Sequence, residues 1–212
     1  MDGKELMYCY DPLCGWCYGF SPVVRQLEQT FGDQLPFTAY SGGMATGERA
    51  APIGQAFAYI KQALGTVEQH TGVRFGQGFR DLLEEGSYVY NSEPPARALT
   101  AFKSVSNKSS LALAHALQQA IFDEGKNLNE AEVLAAIAEE QGLKSDIFLK
   151  LFEQEKYRQK TLEEFAFVQK MGVSGFPTLL YRNGRKLYIL SRGYQAYEPL
   201  RESIEKLLQE GN

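Results

Sequence analysis

Two cysteines separated by a glycine and a tryptophan, Cys14-Gly15-Trp16-Cys17, are the residues of this chain best suited to chemistry. A thiolate is the nucleophile of thiol–disulfide exchange. A second thiol three residues on lies one helical turn away, near enough to close a disulfide with the first or to resolve a mixed disulfide with another molecule. The pair falls where a short apolar run, Leu6 to Tyr10, gives way to an amphipathic stretch from Phe20 to Phe31. That is the pattern of a strand-to-helix junction. A helix start favours thiolate over thiol, because its first N–H groups are unpaired and the positive end of the macrodipole lies there.

The elements that must hold this dithiol can be read outward from it. Leu6 to Tyr10 has the length and composition of a buried strand, and Asp11-Pro12 turns the backbone toward the helix. Along that helix Val23, Val24, Leu27 and Phe31 form an apolar stripe, Gly32-Asp33 ends it, and Pro22 is expected to bend it by removing a donor to the Tyr18 carbonyl. Leu35 to Tyr40 reads as a second strand, closing a β-α-β unit with parallel pairing. After a flexible loop, Ser41 to Gly47, the patterns turn helical: Pro52 to Leu64, then a broken stretch from Thr66 to Tyr90. A helix opened by Pro94-Pro95 follows, with Ser92 or Glu93 near its cap, and then Ser110 to Glu124. Asn129 with Glu132 reads as a cap for Val133, Leu134, Ile137 and Ala138, and Ile147, Phe148, Leu151 and Phe152 repeat the stripe. Thr161 with Glu164 reads as the capping box of a helix reaching about Met171. Phe176 to Tyr181 and Leu187 to Leu190, joined at Asn183-Gly184, read as a hairpin, and a last amphipathic helix starts near Pro199.

The chain has 212 residues, 44% of them hydrophobic and 23% charged, which suits one or two globular units. A net charge of −4 provides no basic field, so neither nucleic acid nor an anionic membrane is an expected partner. The polar start Met1-Asp2-Gly3-Lys4-Glu5 and the brief apolar run after it carry no signal-peptide pattern, and no transmembrane span is expected. Cys9, Cys14 and Cys17 are too few for a disulfide scaffold, which makes a reducing cytoplasm the expected compartment.

The dithiol after the first strand, the proline opening the late hairpin and the helical stretch between them resemble the thioredoxin superfamily. More closely, the chain resembles the DsbA-like and FrnE-like thiol-disulfide oxidoreductases, in the branch predicted to be protein-disulfide isomerases. The stretches Asp11-Pro12-Leu13-Cys14-Gly15-Trp16-Cys17-Tyr18-Gly19-Phe20 and Gly175-Phe176-Pro177-Thr178 carry the resemblance most specifically, with Tyr90, Ser92, Glu93, Pro94 and Arg97 beside them. It implies an α/β thioredoxin-like fold with an inserted all-helical domain: residues 1–45 and 160–212 in the first part, 46–159 in the insertion. It also implies Cys14 as attacking thiol, Cys17 as resolving thiol and Pro177 as the cis-proline beside them. The Gly-Trp between the cysteines departs from the Gly-Pro of thioredoxins and the Pro-His of periplasmic DsbA, so the redox direction stays open. The expected activity is disulfide exchange with protein or peptide substrates, as oxidoreductase or isomerase, with no cofactor and with an external thiol reductant such as the glutathione or thioredoxin system.

Each residue also has a plainer reading. Cys9, between two tyrosines, reads as a buried strand residue rather than a third redox thiol. Trp16, Tyr18 and Phe20 either present an apolar face to substrate or pack the helix start. Phe176, before Pro177, offers backbone for strand-like pairing with a substrate peptide, or Pro177 merely opens a strand. Asp11 is a turn residue or a base toward Cys17; Arg97 and Glu93 line a cleft or are helix-start charges. His70 and His115 have no nucleophile near them in sequence and receive no role. Two other functions compete. One is a glutathione-linked enzyme of the kappa-class transferase or hydroxychromene-carboxylate isomerase type, which usually carries serine where this chain has Cys14. The other is a zinc-structured binding module using the three cysteines with His70 or His115, against which neither histidine has a close partner ligand; no metal site is expected.

Overall fold

The computed structural model describes residues 3–210, so Met1 and Asp2 of the polar start lie outside the described residues. In chain order the elements are β1 (Lys4–Tyr10), α1 (Gly15–Phe31), β2 (Phe37–Ser41), β3 (Ala51–Pro52), α2 (Phe57–Thr71), α3 (Gln77–Glu85), β4 (Val89–Tyr90), α4 (Glu93–Val105), α5 (Ser110–Phe122), α6 (Ala131–Glu140), α7 (Ser145–Phe152), α8 (Glu155–Lys170), β5 (Thr178–Asn183), β6 (Lys186–Arg192) and α9 (Tyr197–Glu210). A four-stranded sheet runs in the order β2-β1-β5-β6, with β1 parallel to β2 and the other neighbours antiparallel. The expected β-α-β unit and late hairpin are both present, and helices α2 to α8 occupy the chain between β2 and β5.

β1 is central because it is apolar on both faces. Leu6, Tyr8 and Tyr10 join the main core, while Met7 and Cys9 face a smaller cluster with Val168 of α8 and Leu180 of β5. The main core is continuous. It runs from Leu200 and Ile204 of α9, through Phe20, Val24 and Leu27 of α1, to Phe148 and Phe152 of α7. No helix among the described residues is long and apolar enough to cross a membrane.

Pro22 does sit inside α1. It cannot donate to the Tyr18 carbonyl, and the hydroxyl of Ser21 donates there instead, at 3.1 Å. Nδ1 of His115 on α5 lies 2.7 Å from the same hydroxyl oxygen. With that hydroxyl proton directed at Tyr18, the tautomer assigned to His115 carries its proton on Nδ1 and donates. Burial, with Arg25 nearby, pushes the His115 imidazole down to about 4. Below about pH 6.5 the unfolded chain therefore takes up a second imidazole proton before the folded one does, and stability falls as pH drops from there toward 4. Urea midpoints of wild type and His115→Gln at pH 7 and pH 5 check this: the wild type should lose more than the variant.

Several local expectations fail for identifiable reasons. α8 begins at Glu155, and Thr161 lies inside it with its hydroxyl donating to the Tyr157 carbonyl at 2.7 Å, so Thr161 and Glu164 are not a capping box. Glu164 serves elsewhere: it accepts the Ser41 N–H of β2 at 2.8 Å and pairs with Lys103 of α4. α8 thus runs through position 160. Asn129 does not cap α6, whose N-cap is Glu130; its side chain donates to the Val89 carbonyl at 2.9 Å. Pro52 is not helical but pairs with Val89 in a two-residue ladder, Ala51–Pro52 against Val89–Tyr90. Ile147 is exposed, leaving Phe148 and Phe152 as the buried side of α7.

Candidate active site

Cys14 is the N-cap of α1. Its backbone is extended, and its sulfur accepts the Cys17 N–H at 3.2 Å, the place that serine or aspartate oxygen takes at an ordinary cap. Upstream, the Cys14 N–H donates to the Asp11 carbonyl at 3.1 Å, which fixes the turn between strand and helix. Cys17, one turn on, is fully buried, whereas Cys14 keeps 6% of its surface exposed; neither is in a disulfide. Burial raises the Cys17 thiol well above its usual range, and the adjacent Cys14 sulfur adds to this. Beneath them, the Tyr8 hydroxyl of β1 donates to the Cys17 carbonyl at 3.0 Å.

The loop before β5 closes the other side. The peptide bond between Phe176 and Pro177 is cis, and the Phe176 carbonyl accepts from the Cys14 thiol at 3.6 Å. Residues 162 positions apart therefore meet at one sulfur. Gly42 makes room for Phe176: a Cβ at position 42 would stand 1.8 Å from the ring. Trp16 is half-buried, its ring 5.9 Å from that of His70. Trp16, Phe176 and Cys14 line a common cavity. Tyr18 and Phe20 do not face it in the same way. Tyr18 packs on Phe75 and Phe122, and Phe20 packs on Tyr8 and Tyr194 in the core.

Asp11 is the polar centre of the site. Oδ1 accepts from the Leu13 N–H at 3.0 Å and the Ser92 hydroxyl at 2.8 Å, and Oδ2 accepts from the Met44 N–H at 2.6 Å. The Leu13 bond is the expected turn. The other two tie the dithiol loop to the loop after β2 and to the start of α4. Burial pushes the Asp11 carboxyl up from the ordinary carboxylate range, and these hydrogen bonds oppose that shift. Ser92 also accepts the Ala45 N–H at 3.0 Å, so its hydroxyl is engaged and does not cap α4. Tyr90 donates to the Leu13 carbonyl at 2.6 Å, and Gln118 of α5 reaches the Asp11 carbonyl at 3.4 Å. Met44, Gly42 and Gln118 were not singled out in the sequence, since a backbone N–H or a missing side chain leaves no residue-type signal. Tyr90 is visible only through the family resemblance, and Ser92 otherwise only as a helix-start candidate.

The remaining candidates lie elsewhere. Arg97 and Glu93 pair with each other at 3.1 Å, and the guanidinium stacks on Phe152 at 4.0 Å; neither lines the cavity beside Cys14. Cys9 packs on the face of the sheet opposite Cys17, where burial pushes its thiol up to about 12. The three cysteines consequently do not converge on one point, and among the described residues no group of three or more metal-ligating side chains is assembled. His70 is engaged with the Thr66 carbonyl at 2.8 Å. One consequence is selective alkylation. At neutral pH iodoacetamide should modify one thiol per folded chain, Cys14, because it alone keeps some exposed surface while Cys9 and Cys17 keep none and have raised thiols. Peptide mass mapping checks it, and equal labelling of Cys17 would contradict the arrangement.

Two recesses flank the Phe176 side chain. One of about 340 Å³ contains Cys14 in its wall and is otherwise apolar; the other, of about 710 Å³, includes Arg49, Gln169 and Ser174.

Comparison with known proteins agrees with this geometry. A protein from Nitrosomonas europaea, provisionally named a protein disulfide isomerase, superposes with a TM-score of 0.86 at 26% identity, covering 99% of both chains. The cytosolic disulfide reductase DsbM from Pseudomonas aeruginosa gives 0.82 at 30% identity over 97% of this chain and 99% of that one, and its structure with glutathione gives 0.80 at 31%. A 2-hydroxychromene-2-carboxylate isomerase shares the fold, with a TM-score of 0.64 at 15% identity over 97% of each chain. No curated protein sequence matches the chain. Residues 6–205 match the DSBA-like thioredoxin domain, and the chain belongs to that family of disulfide oxidoreductases and isomerases.

Proposed function

We propose that the protein exchanges disulfides with protein or peptide substrates through Cys14 and Cys17. The observation that carries this reading is the cap position of Cys14, whose sulfur receives the Cys17 N–H while the resolving thiol waits one turn below it. In the reductive direction the Cys14 thiolate attacks one sulfur of the substrate, the substrate S–S bond breaks, and the departing thiolate takes up a proton. Cys17 then loses its proton and attacks Cys14, releasing the second substrate thiol and leaving a Cys14–Cys17 disulfide. Two electrons have passed to the substrate. The raised Cys17 thiol suits this order, since it stays protonated until the mixed disulfide has formed.

Trp16, Phe176 and Pro177 bind the substrate around the attacked sulfur. An external thiol, from the glutathione or thioredoxin system, returns the enzyme to the dithiol. The likeness to DsbM supports the reductive direction and a cytoplasmic site of action. We take residues 1–45 with 160–212 as the thioredoxin-like part and 46–159 as the insertion. Against the transferase or isomerase alternative stand the two retained thiols, since the hydroxychromene-carboxylate isomerase is similar in fold alone.

Equilibration of the Cys14–Cys17 pair with glutathione buffers tests the reading. A potential near that of thioredoxin, about −270 mV, supports a reductase; one near about −180 mV supports reshuffling. Failure of the two sulfurs to form a disulfide at any poise overturns it.

A further inference from the structure

The recess that contains Cys14 is built largely by the inserted helices. Ile60, Leu64 and Val67 of α2, Phe79 of α3 and Phe122 of α5 form its wall, and Trp16 and Phe176 flank the sulfur. Among the described residues, none of the lining side chains is Asp, Glu, Lys, Arg or His. The one hydroxyl placed deep in the site, that of Tyr90, is already committed to the Leu13 carbonyl. At about 340 Å³ the cavity is at the small end of ligand sites, so it takes a single bulky group rather than a folded element. Tyr59, 76% exposed, stands at its rim. Met44 and Phe176 are shared with the second recess, where Thr46, Arg49, Gln169 and Ser174 add polar groups to a wall that also holds Phe165 and Val173. A chain crossing Cys14 would therefore pass from an apolar compartment to a mixed one that offers polar partners, as a peptide with unlike neighbouring side chains can.

We propose that the apolar recess is a specificity pocket for an aromatic or branched aliphatic side chain next to the cysteine of a peptide substrate. The inference rests on the disulfide-exchange reading of the same site. In the exchange step the Cys14 thiolate attacks the peptide sulfur of a mixed disulfide, the peptide–leaving-group S–S bond breaks, and the leaving thiolate departs with the electron pair. The flanking side chain enters the cavity as the new Cys14–peptide bond forms. Charged or absent side chains gain nothing there, because no wall group can pair with a charge.

The test uses N-acetyl cysteinyl dipeptide amides bearing Phe, Leu, Gly or Asp beside the cysteine, on either side, each as the mixed disulfide with 5-thio-2-nitrobenzoate. Release of the coloured thiol is followed with the reduced wild-type protein. Burying one large apolar side chain should raise kcat/KM of the Phe and Leu peptides about tenfold or more above Gly in at least one of the two orders, with Asp slowest. Ala63→Phe, which fills the cavity from α2, should bring the Phe-to-Gly ratio down to about one; Ala56→Phe, at an exposed lining position, repeats the test if the first variant does not fold. Equal rates for Phe, Leu and Gly in wild type, or an undiminished ratio in a folded filled variant, overturn the pocket while leaving disulfide exchange intact. No release from any peptide overturns the exchange reading itself, and the pocket with it.

Discussion

Replacing Cys14 with serine should lower disulfide exchange by about three orders of magnitude or more, with little loss of stability. A serine hydroxyl is not ionised at neutral pH and forms no disulfide, yet it can still accept the Cys17 N–H and cap α1. Insulin reduction alongside a thermal melt separates the two effects, and a normal rate would remove Cys14 from its role. Cys17→Ala should behave differently. The first exchange still occurs, but the mixed disulfide has no resolving sulfur, so a covalent Cys14–substrate adduct accumulates and is visible by intact mass. The pairing of a dead variant with a trapped one is the signature expected if Cys14, which keeps 6% of its surface exposed, attacks and the fully buried Cys17 resolves.

Asp11→Ala should be the most destabilising single change near the site, at about 3–5 kcal/mol. The Leu13 N–H, the Met44 N–H and the Ser92 hydroxyl would all lose their acceptor in a fully buried position, each at about 1–3 kcal/mol before relaxation and water entry. Asp11→Asn should cost roughly half as much. It keeps an oxygen for Leu13 and Ser92 but turns an amide NH2 toward the Met44 N–H, so one bond of the three is lost. Urea denaturation of both variants orders them, and equal effects would mean that the carboxylate is not the shared acceptor. Exchange activity should fall with Asp11→Ala even where the protein is folded, because the turn holding Cys14 is no longer tied to the loop at Met44.

What was legible in the sequence follows from how local each signal is. β1, β2, β5, β6 and the apolar stripe of α1 stood out because strand and helix periods act over a few neighbouring residues. The dithiol was visible for the same reason, its two sulfurs being three positions apart. The apposition of Pro177 to Cys14 was not, and reached the sequence reading only through resemblance. Capping patterns misled at Thr161 and Asn129 because hydroxyl and amide groups satisfy any nearby carbonyl; here one bonds back within its helix and the other crosses to Val89. The β3–β4 ladder is two residues long, too short for alternation to show. Asp11 is the sharpest case. Its turn was readable, but its partners at Met44 and Ser92 come from distant chain segments, and one of them is a bare backbone amide.

Trp16, two residues after Cys14, is the sole tryptophan of the chain. Light absorbed selectively by indole is thus emitted from a single spot, one that borders both Cys14 and the apolar recess. The proposed sulfur chemistry at that spot and the proposed filling of the recess would each change the indole's surroundings, so the protein carries its own optical reporter for both, with no dye attached.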